Sequence, residues 1–143
     1  MTRISRETGP QQADLALEIE RNLLRALAEA NTQSANESLV LKASAEDGSL
    51  AGGLTASTSY GWLLIKTLWV SDAHRGSGLG RELMEAAEEE GRRLGCHGAW
   101  LDTSNIDARS FYRRLGYQDF GNLENGPDEL PAGHCRWFMK KAL

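Results

Sequence analysis

Residues 74–80 read His-Arg-Gly-Ser-Gly-Leu-Gly, with three glycines at alternate positions between Arg75 and Arg81. An apolar run, residues 63–70, precedes them, and a helical pattern, residues 81–95, follows. A strand, a glycine turn and a helix start together make an anion site, because backbone N–H groups point outward and no Cβ covers them. Arg75 and Arg81 strengthen that reading. Helix N-termini favour acids, so two cations there are unfavourable unless an anion lies between them. The plainer alternative is a glycine turn that only packs helix on strand.

A phosphate-bearing ligand is the expected anion. No Lys-Ser or Lys-Thr follows Gly80, which excludes a Walker loop, and G-x-G-x-G is one residue short of the dinucleotide fingerprint. Asp102, at the end of the next predicted strand, would suit a ribose-binding acid. Only about forty residues follow it, however, too few for the remaining units of a Rossmann fold.

The spacing Arg75-x-x-Gly78-x-Gly80 resembles the R/Q-x-x-G-x-G/A pyrophosphate loop of the GNAT acyltransferase superfamily, which binds acetyl-CoA. A second segment, Asn105 followed by residues 108–117 (ARSFYRRLGY), resembles that family's second cofactor-binding stretch. The resemblance runs from about Trp62 to the C-terminus and implies a direct acetyl transfer to an amine, without a metal or a covalent enzyme intermediate. It implies that Arg75, Gly76, Ser77, Gly78, Leu79, Gly80 and Arg81 hold the pyrophosphate. Leu68, Trp69 and Val70 would pair with the pantetheine arm, one of their N–H groups bonding the thioester carbonyl. Asn105 would bond the pantetheine amide or cap its helix.

Tyr112 would be the general acid to the departing thiolate. The reference pKa values, about 10 for a phenol and about 8.5 for a thiol, lie close enough for proton donation. The alternative is an aromatic ring that only packs beneath the helix. Many relatives carry a glutamate on the central strand as base. Here Leu64, Lys66 and Leu68 fall on one face by simple alternation, and no carboxylate stands on that strand. A water chain, the free-base fraction of the amine, or His134 remain as alternatives. The acidic loop with Glu124, Asp128 and Glu129 either draws a cationic amine to the acceptor mouth or is a solubilising tip.

The elements that must position these groups follow from periodicity. A short strand at residues 3–6 is expected, then Pro10 in the first turn of a helix whose Leu15, Ile19, Leu23 and Leu27 share a stripe. Leu39, Leu41, Ala43 and Ala45 alternate as a strand, and Asp47-Gly48 signals a two-residue hairpin with positive φ at both positions. The run 62–70 reads as a central strand covered on both faces. On the following helix, Glu88–Arg92 and Glu89–Arg93 are expected as outward i,i+4 pairs. Residues 98–103 should form a strand parallel to the central one, followed by a short helix, 107–115, and two last strands, 117–123 and 134–141. The expected fold is a single domain, 1–143, of mixed α+β type. Its GNAT-like, mostly antiparallel sheet should have six to seven strands, splayed parallel central strands and flanking helices.

Composition narrows the partners. A net charge of −4 and no basic stripe argue against nucleic acid, and Arg92-Arg93 and Arg113-Arg114 suit solvated helix faces. No signal peptide or membrane span is predicted. The expected location is therefore the cytoplasm, with Cys96 and Cys135 reduced, and the sequon Asn36-Glu37-Ser38 is a chance match. Cys96-His97 and His134-Cys135 lack zinc-ligand spacing. The amine acceptor's identity stays open, and a homodimer, as in many relatives, is compatible. Two other functions also stay open: a NAD-type nucleotide-binding oxidoreductase, and a catalytically silent acyl-CoA-binding module.

Overall fold

The structure, a computed structural model, describes residues 1–30 and 37–143, so Asn36 of the sequon lies outside the described residues. The chain divides into two compact units, Met1–Ala35 and Asn36–Leu143. The first holds helix α1 (Gln12–Ala30), which starts two residues after Pro10. The strand expected at residues 3–6 does not form. Ile4 is the one large apolar residue there, too little to anchor a strand.

The second unit is one six-stranded sheet in the order β1-β2-β3-β4-β6-β5. Its strands are β1 (Glu37–Ser44), β2 (Leu50–Ser59), β3 (Trp62–Val70), β4 (Gly98–Thr103), β5 (Gln118–Glu124) and β6 (Cys135–Ala142). Helices α2 (Leu79–Arg93) and α3 (Ile106–Arg114) supply the crossover and the connection beyond it. Every neighbouring pair is antiparallel except β3 and β4. This is the mixed α+β architecture expected, with six strands.

Of the two hairpin turns, the one at Tyr60-Gly61 falls where the sequence puts a turn, and the one at Asp47-Gly48 differs in type from the expectation. Tyr60 (φ 52°) and Gly61 (φ 80°) carry the paired positive dihedrals, and Ser59 lies in register with Trp62, so the two-residue turn is here. At Asp47-Gly48 only Gly48 is left-handed (φ 84°). Asp47 instead accepts bonds from the Ser49 N–H (2.9 Å) and Oγ (2.6 Å), which holds a wider loop.

The core lies between the sheet and α2. Leu54, Leu63, Leu101 and Met139 from the strands and Met84 and Ala87 from α2 are fully buried or nearly so. Gly91 lets the helix approach closely, since a Cβ there would stand 3.1 Å from Leu63 Cδ2. Glu88 turns inward on the same helical face, contrary to the outward pairing expected. Its carboxylate accepts from Tyr117 Oη (2.9 Å) and Lys141 Nζ (2.7 Å). The outward pairs are therefore i,i+3, Arg92 with Glu89 (3.3 Å) and Arg93 with Glu90 (2.7 Å).

Two features of β3 shape the site. Its pairing with β4 covers only Trp62–Gly98, Leu63–Ala99 and Leu64–Trp100; beyond that the strands part. Two residues later β3 carries a bulge, because Ile65 and Thr67 oppose the adjacent Ala56 and Thr55 and leave Lys66 surplus. A bulge bends its strand and increases the local twist. It also shifts the alternation: Leu63, Ile65, Leu68 and Val70 now join the core side, while Lys66 and Thr67 are both exposed. Leu68 therefore does not share a face with Leu64, as uninterrupted alternation had implied.

Candidate active site

At the end of β3 a 3₁₀ turn, Asp72–His74, leads into the glycine loop. Ser71 Oγ lies 2.7 Å from His74 Nδ1, and Ser77 Oγ donates to the His74 carbonyl (2.5 Å), so short local bonds hold the loop in shape. Gly76 (φ 75°) and Gly78 (φ 86°) occupy left-handed conformations, and a Cβ at either would meet nothing within 4 Å. Gly78 is the N-cap of α2 and offers no side chain to cap it. Among the described residues, no acceptor bonds the backbone N–H groups of Gly76, Ser77, Gly78, Leu79, Gly80 or Arg81. Helix N-termini ordinarily satisfy such donors with a cap, solvent or a ligand. Six consecutive donors at the positive end of α2 make a candidate anion cradle.

A cavity of about 480 Å³ lies over these donors. Leu68, Val70, Arg75, Gly76, Gly78, Leu79, Gly80 and Arg81 line it, together with His74, Phe111 and Arg114. The β3 edge that parts from β4 adjoins it, so backbone groups beyond Leu64 on that side have no strand partner. Ser77 and Trp69 do not line the cavity. Ser77 is bonded into the loop, and Trp69 follows the shifted alternation to the other face, 45% exposed.

Asn105 caps α3 with its side chain, accepting from the Asp107 and Ala108 N–H groups (2.9 Å each). At the other end of α3, Gly116 (φ 99°) closes a Schellman turn: its N–H bonds the Arg113 carbonyl and the Tyr117 N–H bonds that of Tyr112, both 3.0 Å. That motif commonly brings these two side chains together, and the Tyr112 and Tyr117 rings meet edge-on with centroids 6.0 Å apart. Phe111 also meets Tyr112 edge-on, with ring centroids 5.2 Å apart. Burial raises the Tyr112 pKa above the usual phenol range. Its hydroxyl has no hydrogen-bond partner among the described residues, and it does not line the 480 Å³ cavity. Tyr117 is raised much further, by burial and then by the Glu88 carboxylate that its hydroxyl bonds.

The electrostatics refine the sequence argument. Arg75 and Arg81 both have carboxylate partners, Asp72 (3.1 Å) and Glu85 (2.8 Å), so their own charges do not by themselves demand an anion. Arg113 pairs with Asp119 (3.0 Å), as Arg109 does, and these two hold the Asp119 carboxyl below its usual range, Arg109 first. Sequence reasoning missed His74, Phe111 and Arg114 as cavity residues. The i,i+3 spacing of Phe111 and Arg114, which puts both on one side of α3, was the available signal.

Other chemistry-bearing groups stand apart from the cradle. His134 Nε2 lies 3.1 Å from Ser104 Oγ at the end of β4. Asp102 pairs with Arg136 (2.8 Å). The acidic loop forms its own hollow, where Glu129 accepts from the Gly126 N–H (2.7 Å). Among the described residues, no three His, Cys, Asp or Glu side chains gather as a metal site, and no helix is long and apolar enough to cross a membrane.

Bare N–H groups at a helix start, set beside an open strand edge, are an arrangement able to take an extended phosphate-bearing ligand. A family model described as the acetyltransferase (GNAT) family matches residues 6–117, and the chain belongs to that family. It is 42% identical over 96 residues to an acetyltransferase of Agrobacterium fabrum, spanning 67% of each chain. It is 36% identical over 88 residues to a blasticidin-S acetyltransferase of Streptomyces morookaense, spanning 61% of this chain and 65% of that one. A solved acetyltransferase structure from Agrobacterium tumefaciens superimposes with a TM-score of 0.83 at 31% identity, covering all of both chains. The protein is thus an N-acetyltransferase that uses acetyl-CoA as donor and an amine as acceptor. This sets aside the oxidoreductase and the silent binding module.

Proposed function

We propose that the glycine loop and the open edge of β3 hold acetyl-CoA for transfer of its acetyl group to a small, cationic amine. The observation that carries this reading is the row of six N–H groups without a backbone acceptor, Gly76 to Arg81, of which all but Ser77 belong to residues lining one cavity. A diphosphate matches that row, since the glycines leave no Cβ in its way and the α2 dipole favours its charge. Acetyl-CoA supplies an activated acetyl group as a thioester. Backbone donors of β3 between Leu68 and Val70 polarise the acyl carbonyl, an oxyanion-hole role. Tyr112 keeps its proton because burial disfavours the phenolate. It gives that proton to the sulfur as the carbon–nitrogen bond forms and the carbon–sulfur bond breaks. The attacking amine loses its own proton to solvent.

The acceptor class rests on two supports. The name of the Streptomyces morookaense relative points to a small-molecule amine. The hollow lined by Glu124 and Glu129 offers negative potential to an ammonium. Titrating the protein calorimetrically with coenzyme A, beside a Gly80→Val variant, tests the cofactor site. A Cβ at Gly80 would stand 3.4 Å from Phe111 Cζ, so a branched side chain there crowds the cavity floor without a left-handed backbone. Affinity should fall at least about tenfold, the loss of one good charge-assisted contact. Unchanged affinity overturns the site. A panel of polyamines, aminoglycosides, amino acids and lysine peptides, read by thiol release, then identifies the acceptor; acetylation of neutral amines only would sink the cationic preference.

A further inference from the structure

We infer that Arg114 reads the 3′-phosphate of coenzyme A, so that the enzyme discriminates coenzyme A from its 3′-dephospho form. The inference rests on the cofactor reading above. Among the described residues of the second unit, Arg114 is the one arginine without a carboxylate partner. It is also the one α3 cation that lines the cavity over the glycine loop.

Arg114 brings to the cavity a cation that no carboxylate among the described residues already holds. A diphosphate is met by the six backbone donors of the loop, and the flanking Arg75 and Arg81 are already engaged by Asp72 and Glu85. Coenzyme A carries a third phosphate on its ribose, with up to two further charges, and backbone donors committed to the diphosphate leave it unmatched. A guanidinium offers parallel N–H donors that fit two phosphate oxygens at once. Arg114 lies one helical turn beyond Phe111, on the same side of α3. The Phe111 ring reaches to within 3.4 Å of the Gly80 Cβ direction. The guanidinium is thereby delivered to the rim of the cradle from the helix opposite.

A structural role for Arg114 makes a different prediction. A cation in the last turn of α3 offsets the helix dipole, and its loss would weaken the fold slightly and affect every ligand alike. Calorimetric titration of coenzyme A and 3′-dephospho-coenzyme A into the wild type, Arg114→Gln and Arg114→Lys at fixed salt separates the two. The wild type should prefer coenzyme A by about tenfold or more. Arg114→Gln should bring coenzyme A down to the dephospho level while leaving dephospho affinity within about twofold. Arg114→Lys should restore part of the preference, because charge remains but the fork is lost. Equal wild-type affinities overturn the inference, and so does a preference that survives in Arg114→Gln or an equal loss for both ligands. Binding of neither ligand by the wild type overturns the cofactor site itself.

Discussion

Tyr112 shows how a single side chain can be tested for a chemical role. Its hydroxyl lacks a partner among the described residues while its ring is held by Phe111 and Tyr117, so Tyr112→Phe removes one oxygen and little packing. If it is the proton donor, kcat should fall by about 100-fold with coenzyme A affinity nearly unchanged; an equal kcat retires the role. The folded pKa lies above the unfolded value of about 10, so the phenol stays protonated, and its contribution to stability is full below about pH 10 and fades above it. The rate with saturating acetyl-CoA should accordingly not decline between pH 7 and 9.5, and a downward limb in that range would contradict the assignment. At this scale the glycine turn was legible. Gly76, Gly78 and Gly80 stood out because only glycine leaves donors bare. Arg114 did not, because one arginine of a pair looks the same in sequence whether it faces water or a cavity.

The elements were legible where punctuation was strong and illegible where pairing decided. Strands β3 and β4 fall where the apolar runs and glycines put them, and Gly95 and Gly116 end their helices as expected, both with positive φ. The bulge at Lys66 was invisible, because a surplus residue is defined by the partner strand and not by the strand that carries it. Glu88 was misread for a related reason: a carboxylate on an apolar helical face can be buried if β6 and the residue just before β5 supply a cation and a hydroxyl. That triad ties α2 to the far half of the sheet. Glu88→Ala leaves Lys141 unpaired beside the buried Tyr117 hydroxyl, and should cost about 3–5 kcal/mol. Glu88→Gln, which keeps the shape, should cost less. Urea unfolding measures both, and a loss below about 1 kcal/mol for alanine would mean that water replaces the carboxylate. Asn105→Ala removes the α3 cap and should cost about 1 kcal/mol.

For the whole molecule, ligand binding should register as stability. Acetyl-CoA at a hundred times its Kd adds about 2.7 kcal/mol to the folded state, which for a chain of this length raises Tm by about 5–10 °C. NAD should leave Tm where it is, and a larger shift with NAD than with acetyl-CoA would contradict the assignment of the glycine loop to coenzyme A. Composition bounded the size and charge of the molecule, but no residue pattern told how far the two parallel strands run together. The bulge at Lys66 lies two residues beyond the end of that pairing, and deleting it tests whether the two are linked. Removing it would leave Ile65 opposite Ala56 and Thr67 opposite Thr55, with every inward residue still inward. A one-codon deletion should therefore yield a straighter ribbon that folds, melts cooperatively and no longer takes up acetyl-CoA, because the parallel ladder zips shut over the slot. The capacity to hold a substrate would then trace to a miscount of one between neighbouring strands, and a deletant that still binds would show that the opening has another origin.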